Sequence, residues 1–306
     1  MRFLKFILMA AMALSFMARP DTALAQKQVG YGRLIVNDFL GDGHDRWRSG
    51  SIAASHVFGA PWSGGLPAQA GENIELRILG QVIAPANLVS PAVGDRPYAG
   101  ALSLGAHTHF KPKKIDYALG VDLVLLGPQT GLADLQSSLH SGFGLAGPSA
   151  SVLANQIGND VALAAVAEAG RVFDLGAHTE IRPFAEVRLG VETLFRVGFD
   201  LGVGSGLAND LWVRDPVSGH RYRTMSRPDR GFSYTVGADV SVIENSLFLP
   251  ASSGVAPERF RSRLRAGVQW QGKKHSVFYG ASWLSPEFQG QSGGQVVGAI
   301  RVKIDF

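Results

Sequence analysis

Apolar and polar positions alternate with period two along much of this chain. Near the C-terminus, Val296, Gly298, Ile300, Val302, Ile304 and Phe306 share one face, while Val297, Ala299, Arg301, Lys303 and Asp305 share the other. The same alternation sets Ile115, Tyr117, Leu119, Val121, Leu123 and Leu125 against Asp116 and Asp122, and Phe195, Val197, Phe199, Leu201 and Val203 against Arg196 and Asp200. It recurs from Phe232 to Val242 around Asp239, from Leu264 to Trp270 against Arg263, Arg265 and Gln269, and from Ile74 to Ile78 against Glu75 and Arg77. Period two is the signature of a strand with two unlike faces. These runs are about ten residues long, the length of a tilted strand crossing a bilayer rather than the ~5–6 of a soluble sheet. Full charges on one face and hydrocarbon on the other suit a polar lumen and a lipid-facing wall. The expectation is an all-β fold, a transmembrane antiparallel β-barrel. The competing reading is a large soluble sheet with one wet face.

Two stretches break the pattern. Residues 206–230 are polar and turn-rich and predict a long loop or hairpin end. Residues 132–139 (LADLQSSL), after a Gly-Pro turn, are the most helix-like piece. The first residues differ again: Arg2 and Lys5 precede an apolar run from Phe6 to Met17, and Ala23-Leu24-Ala25 follows. That is the form of a secretory signal. Residues 1–25 are expected to be cleaved, leaving 26–306 as one outer-membrane barrel domain. No later run is apolar enough to span as a helix.

Composition adds limits. There is no cysteine, hence neither disulfide framework nor thiolate chemistry. The formal net charge is +4, and Arg2, Lys5 and Arg19 against Asp21 place half of it in the leader. That is too little to argue for nucleic acid, and the basic residues form no stripe along the sequence. The 38 glycines fit turns and close backbone approach better than helices. A terminal phenylalanine on an alternating strand, Phe306, resembles the signal read by the outer-membrane assembly machinery.

Polar residues crowd in three places. Asn37-Asp38, followed by Gly41-Asp42-Gly43-His44-Asp45-Arg46, offers hard oxygen donors of the kind calcium takes, although Asx-Gly clusters also make simple turns. Asp95-Arg96-Pro97-Tyr98-Ala99-Gly100 reads as a strand-initiating turn with an interfacial tyrosine. Gly127-Pro128-Gln129-Thr130-Gly131 leads to Gln136 and His140, where a histidine one helical turn after a glutamine could be a positioned base.

In order and spacing, these segments resemble the outer-membrane lipid A 3′-O-deacylases. The resemblance runs through Asn37-Asp38, Asp45-Arg46-Trp47-Arg48-Ser49-Gly50, Asp95 to Gly100, and Gly127-Pro128, Gly131, Gln136 and His140. It continues through Asn245 to Leu249 and Ser285 to Gln291. It implies a transmembrane antiparallel β-barrel of roughly 12 strands in the outer membrane of a Gram-negative bacterium, acting on lipid A in lipopolysaccharide, amid outer-membrane lipids, with Ca2+ as cofactor. It implies His140 as the general base activating water, with Asn37, Asp38, Ser49 and Arg96 in the catalytic set. Asn37, Asp38 and Asp160 are the implied calcium ligands. The chain departs from the family pattern at two points. Trp47-Arg48-Ser49 stands where a Tyr-Thr pair precedes the glycine, and Asp160 is the nearest carboxylate to a downstream glutamate. No serine lies in a nucleophile-elbow context of the G-x-S-x-G kind, a strand-to-helix turn, which favours water attack over an acyl-enzyme. The alternatives are a non-enzymatic barrel, pore or structural, and a related hydrolase acting on another lipid.

Overall fold

A computed structural model of the chain describes residues 27–304, apart from 177, 206, 208, 209 and 226–229. The expected leader and Phe306 lie outside the described residues. In chain order the strands are β1 (Gln28–Asn37), β2 (Trp47–Gly59), β3 (Asn73–Ala84), β4 (Ala99–Phe110), β5 (Asp116–Leu126), β6 (Asp160–Gly170), the short β7 (Phe173–Gly176), β8 (Thr179–Leu189), β9 (Glu192–Gly204), a small hairpin of β10 (Leu211–Arg214) and β11 (Arg221–Met225), β12 (Gly231–Ser246), β13 (Phe260–Gln271), β14 (His275–Leu284) and β15 (Gln295–Ile304). Twelve of them form the wall, each antiparallel to its neighbours. The wall closes where β1 pairs with β15, Ile35 opposite Ile300, and where β6 pairs with β8, Glu168 opposite Glu186. Closure satisfies every wall strand's backbone on both sides, which hydrocarbon requires. No described helix is long and apolar enough to cross a membrane.

The alternation seen in the sequence becomes inside and outside. Ile52, Leu76, Ile78, Leu104, Phe195 and Val240 are exposed on the outer face. Glu75, Arg77, Glu186, Arg196, Asp239 and Arg263 are buried on the inner face. There they pair, as in Asp239 with Arg263 at 2.9 Å and Glu75 with Arg77 at 2.7 Å.

The turn-rich stretch is neither an outward loop nor a bare hairpin end, because β10 and β11 fold back into the lumen. Arg214 of β10 is clamped by Glu168 of β6 at 2.6 Å and Asp200 of β9 at 2.7 Å. Tyr222 of β11 shares a 2.7 Å hydrogen bond with Ser55 of β2. Gly30 and Gly32 of β1 make room, since a Cβ on either would strike Met225 or the Arg223–Thr224 backbone. The hairpin tip, Pro216 and Val217, lines a cavity with Arg48, Gln81 and Phe248.

Loops 38–46, 85–98, 127–159, 247–259 and 285–294 gather at the end opposite the chain termini. The longest carries helices α1 (Leu132–Gly142) and α2 (Ala150–Ala154). Helix α1 follows a 3-10 turn over Pro128–Thr130 that ends on left-handed Gly131. It lies against the outside of the wall. Gly80 of β3 leaves room beside Leu132 and Ile52, and a Cβ on Gly100 of β4 would strike the Thr130 hydroxyl and crowd Leu132. Ala84, Leu88, Tyr98 and Val152 form the core beneath this cover, with Val82, Ala133 and Leu153 packed on it.

Candidate functional site

The end of β1, loop 38–46 and the start of β2 form one rim segment whose turns are built by side chains. Asn37 Oδ1 accepts from the Phe39 amide at 2.9 Å, and its Nδ2 donates to the Ser49 carbonyl at 3.0 Å. The Asx turn expected from the sequence is therefore present. Asp38 is 1% exposed, and its Oδ2 accepts from the Arg46 amide at 2.6 Å. It forms no ion pair among the described residues. Burial, with the charges of Asp45 and Asp42 nearby, pushes its carboxyl up to about 8 against the amide hydrogen bonds.

Trp47 takes a left-handed backbone, φ 52°, which is rare for so large a side chain. It sits at a register shift between Trp47 and Gly50. Its ring is held by Leu249, Val255 and Phe288. This irregularity separates the next two side chains. Arg48 enters the lumen, bonded to Glu287 at 2.7 Å and to Gln81 at 3.1 Å. Ser49 instead meets Asp45 and α1.

Helix α1 supplies the other half of the site. Gln136 Nε2 lies 3.3 Å from both Asp45 Oδ1 and Ser49 Oγ, and the Ser49 hydroxyl donates to Asp45. The Tyr98 hydroxyl donates to Gln136 Oε1 at 2.9 Å, which fixes the amide's orientation. One turn later, His140 Nδ1 is 2.8 Å from the Ala146 carbonyl and Nε2 is 2.9 Å from Asp45 Oδ2. A carbonyl only accepts, so Nδ1 carries a proton. Nε2 then faces the Asp45 carboxylate, and a hydrogen bond joins the two only when one of them carries a proton. For His140 to take a proton from water, Nε2 has to be released from Asp45.

The sequence-derived residues thus divide. Asn37, Asp38, Ser49, Gln136 and His140 converge on one spot, with Asp45 at its centre. Asp45 belongs to the same motif, but nothing in the sequence marked it as the partner of His140. Arg96 is elsewhere: it is 2% exposed and bonds Glu287, which Arg48 also holds. Burial lowers its guanidinium to about 10, with Glu287 only partly offsetting this. For Glu287 itself, the desolvation is outweighed by Arg48, Arg96 and Arg261, which hold the carboxyl well below the usual range. Asp160 is exposed at the start of β6 and caps the Val161 amide at 2.8 Å, and no described contact joins it to Asp38.

Whether a hard cation suits the spot can be judged from the donors. Asp38 offers a buried carboxylate without a cationic side chain, Asn37 an amide oxygen, and Asp42 and Asp45 further carboxylates in the same loop. These are oxygen donors, as calcium prefers. No three His, Cys, Asp or Glu side chains among the described residues are arranged to ligate one ion, so amide oxygens, water or substrate would complete the shell.

The likeness to known proteins is one of fold. Among solved structures, LpxR from Salmonella typhimurium superposes with a TM-score of 0.75 at 14% identity, covering 90% of this chain and 100% of that one. The NanC porin covers 90% of this chain and 100% of its own at 6% identity, with a TM-score of only 0.39. The β domain of the Bordetella autotransporter BrkA covers 90% and 98% at 13% identity, with a TM-score of 0.42. No curated protein matches the sequence. A family model described as "Outer membrane protein LpxR" matches residues 6–306, and the chain belongs to that family of outer-membrane barrels.

Proposed function

We propose that this protein is a calcium-dependent esterase that hydrolyses the 3′-linked acyloxyacyl ester of lipid A. One observation carries the reading: the cluster of Asp45, Ser49, Gln136 and His140 lies between the outer, lipid-facing wall and α1. It does not face the lumen. A site so placed is reached from the leaflet beside it, and at the loop end of an outer-membrane barrel that leaflet holds lipid A.

His140, once released by Asp45, takes a proton from water held beside Nε2 as that water attacks the acyl carbonyl, and gives it to the departing sugar oxygen as the ester bond breaks. The Ala146 carbonyl fixes the ring through Nδ1. Asp45, having given up Nε2 but remaining beside the ring, stabilises by its charge the imidazolium that forms. Gln136 and Ser49 hold Asp45 in place, and Tyr98 orients Gln136. Asn37 and Asp38 are the residues that would hold calcium, which would supply positive charge for the developing oxyanion. Arg96 supports the site through Glu287 and Arg48, beside Ser49 in sequence. Contact with a substrate phosphate would require it to leave that pair.

The test is mass spectrometry of lipid A from cells making the wild-type chain or His140→Ala, with calcium present. Loss of the 3′ acyl mass with the wild type alone is expected. If lipid A is unchanged with both proteins folded in the membrane, the deacylase reading fails. Release from phospholipid instead would assign the same site to another lipid. The lumenal hairpin speaks against a conducting pore.

A further inference from the structure

Lysine is scattered along the sequence and sorted in space. Every lysine after Lys5 lies at the barrel end that carries the chain termini. Lys27 precedes β1, Lys111, Lys113 and Lys114 lie in the β4–β5 turn, Lys273 and Lys274 in the β13–β14 turn, and Lys303 near the close of β15. Arg171 and Arg230 join them. All are exposed or half-exposed, and among the described residues the first six lysines form no ion pair. The carboxylates on the outside of this rim are Glu72 and Asp174, while Glu180 and Asp210 turn inward. Asp229 and Asp305 lie outside the described residues.

The opposite rim has no lysine. Its arginines Arg46, Arg48, Arg96 and Arg261 are paired with Asp42, Glu192 and Glu287. Its exposed charges include Asp134, Asp160 and Glu244 against Arg259.

Just above the lysines, the outer wall exposes Tyr31, Phe173, Phe232, Tyr234 and Trp270. Aromatic side chains of this kind sit at headgroup level, so the ammonium groups lie where lipid phosphates lie. Lysine suits that place, with a flexible apolar stem and a compact, hydrated charge. The termini, with the short β4–β5 and β13–β14 turns, mark this as the periplasmic end.

We propose that the lysine collar binds anionic phospholipid headgroups of the periplasmic leaflet. The two rims then recognise unlike lipids, phospholipid by ammonium groups at one end and lipid A at the other. The collar does not depend on the esterase reading.

The test uses the full chain in vesicles of phosphatidylcholine, with a trace of spin-labelled phosphatidylglycerol or spin-labelled phosphatidylcholine, in EDTA. Chelation removes any cation bridge at the acidic rim. Electron paramagnetic resonance reads the fraction of label slowed at the protein surface. The wild type is expected to retain phosphatidylglycerol several-fold over phosphatidylcholine. The variant with Lys111, Lys113, Lys114, Lys273 and Lys274 all changed to Gln should show no preference, as should the wild type in high salt. These substitutions lie in exposed turns, and heat-modifiable gel mobility confirms the folded barrel. Equal retention of both lipids by the wild type overturns the proposal. So does a preference that survives the five substitutions. Abolition by millimolar inorganic phosphate at constant ionic strength also overturns it, because the collar would then be a general anion site.

Discussion

Asp38 sets how the rim should respond to pH. Its carboxyl lies at about 8 in the fold against 3.8 for a free aspartate side chain, so the folded state holds the proton more tightly than the unfolded chain does. The stability this contributes is complete below about 4 and is lost as pH rises towards 8. On the proposed function calcium has to displace that proton, so its affinity should climb with pH up to about 8 and then level. Calorimetric titration with calcium at pH 6 and 8.5 checks this. Asp38→Asn should bind more weakly and with a flat profile. Asp45 acts through its neighbour, and Asp45→Asn should lower kcat with little change in KM while shifting the pH profile of the rate. Loss of the proposed base, in His140→Ala, should cost about 10²–10⁴-fold. Asn37, Asp38, Ser49, Gln136 and His140 were legible because their motifs keep fixed local spacing. The Asp45–His140 contact was not, because it joins two loops that only the closed wall brings together. Arg96 was misleading for the same reason: its partner, Glu287, lies near the other end of the chain.

At the scale of elements, α1 matters through its seat on the wall. The glycine at position 100 is there because a Cβ would meet Thr130 and Leu132. Gly100→Val should lift the 3-10 turn and α1 from β4. Since an ångström of misplacement can cost on the order of a hundredfold, activity should fall about that far while the barrel stays heat-modifiable on gels. The lumenal hairpin is held by charge instead. Arg214 is buried between Glu168 and Asp200, and Glu168→Gln with Asp200→Asn leaves it unpaired at a cost of about 3–5 kcal/mol. Limited proteolysis within β10 or β11 should then occur in the variant and not in the wild type. The helix was visible in LADLQSSL, and most wall strands in their alternation. The inward fold of residues 206–230 was not, because turn residues mark where a chain reverses and not which side of a sheet it reverses to. Arg214 finds its partners on two strands far apart in sequence.

For the whole molecule, closure and filling go together. A wall with charges on its inner face would enclose water, but the hairpin and the ion pairs occupy that space. The wild type should show no steady conductance in planar bilayers, and the Glu168→Gln/Asp200→Asn pair should show intermittent opening. Barrel class followed from period and run length, because the lipid face has to be continuous, whereas the strand number came with the family resemblance. The sorting of lysines did not, since neighbours on a rim come from turns far apart along the chain. The placement of α1 outside the wall also bears on kinetics. A site that opens sideways is supplied by diffusion in two dimensions, so its rate follows the mole fraction of substrate in the surrounding film. Diluting lipid A with inert detergent at fixed bulk concentration should slow turnover in proportion, and adding more mixed micelles of the same composition should not restore it.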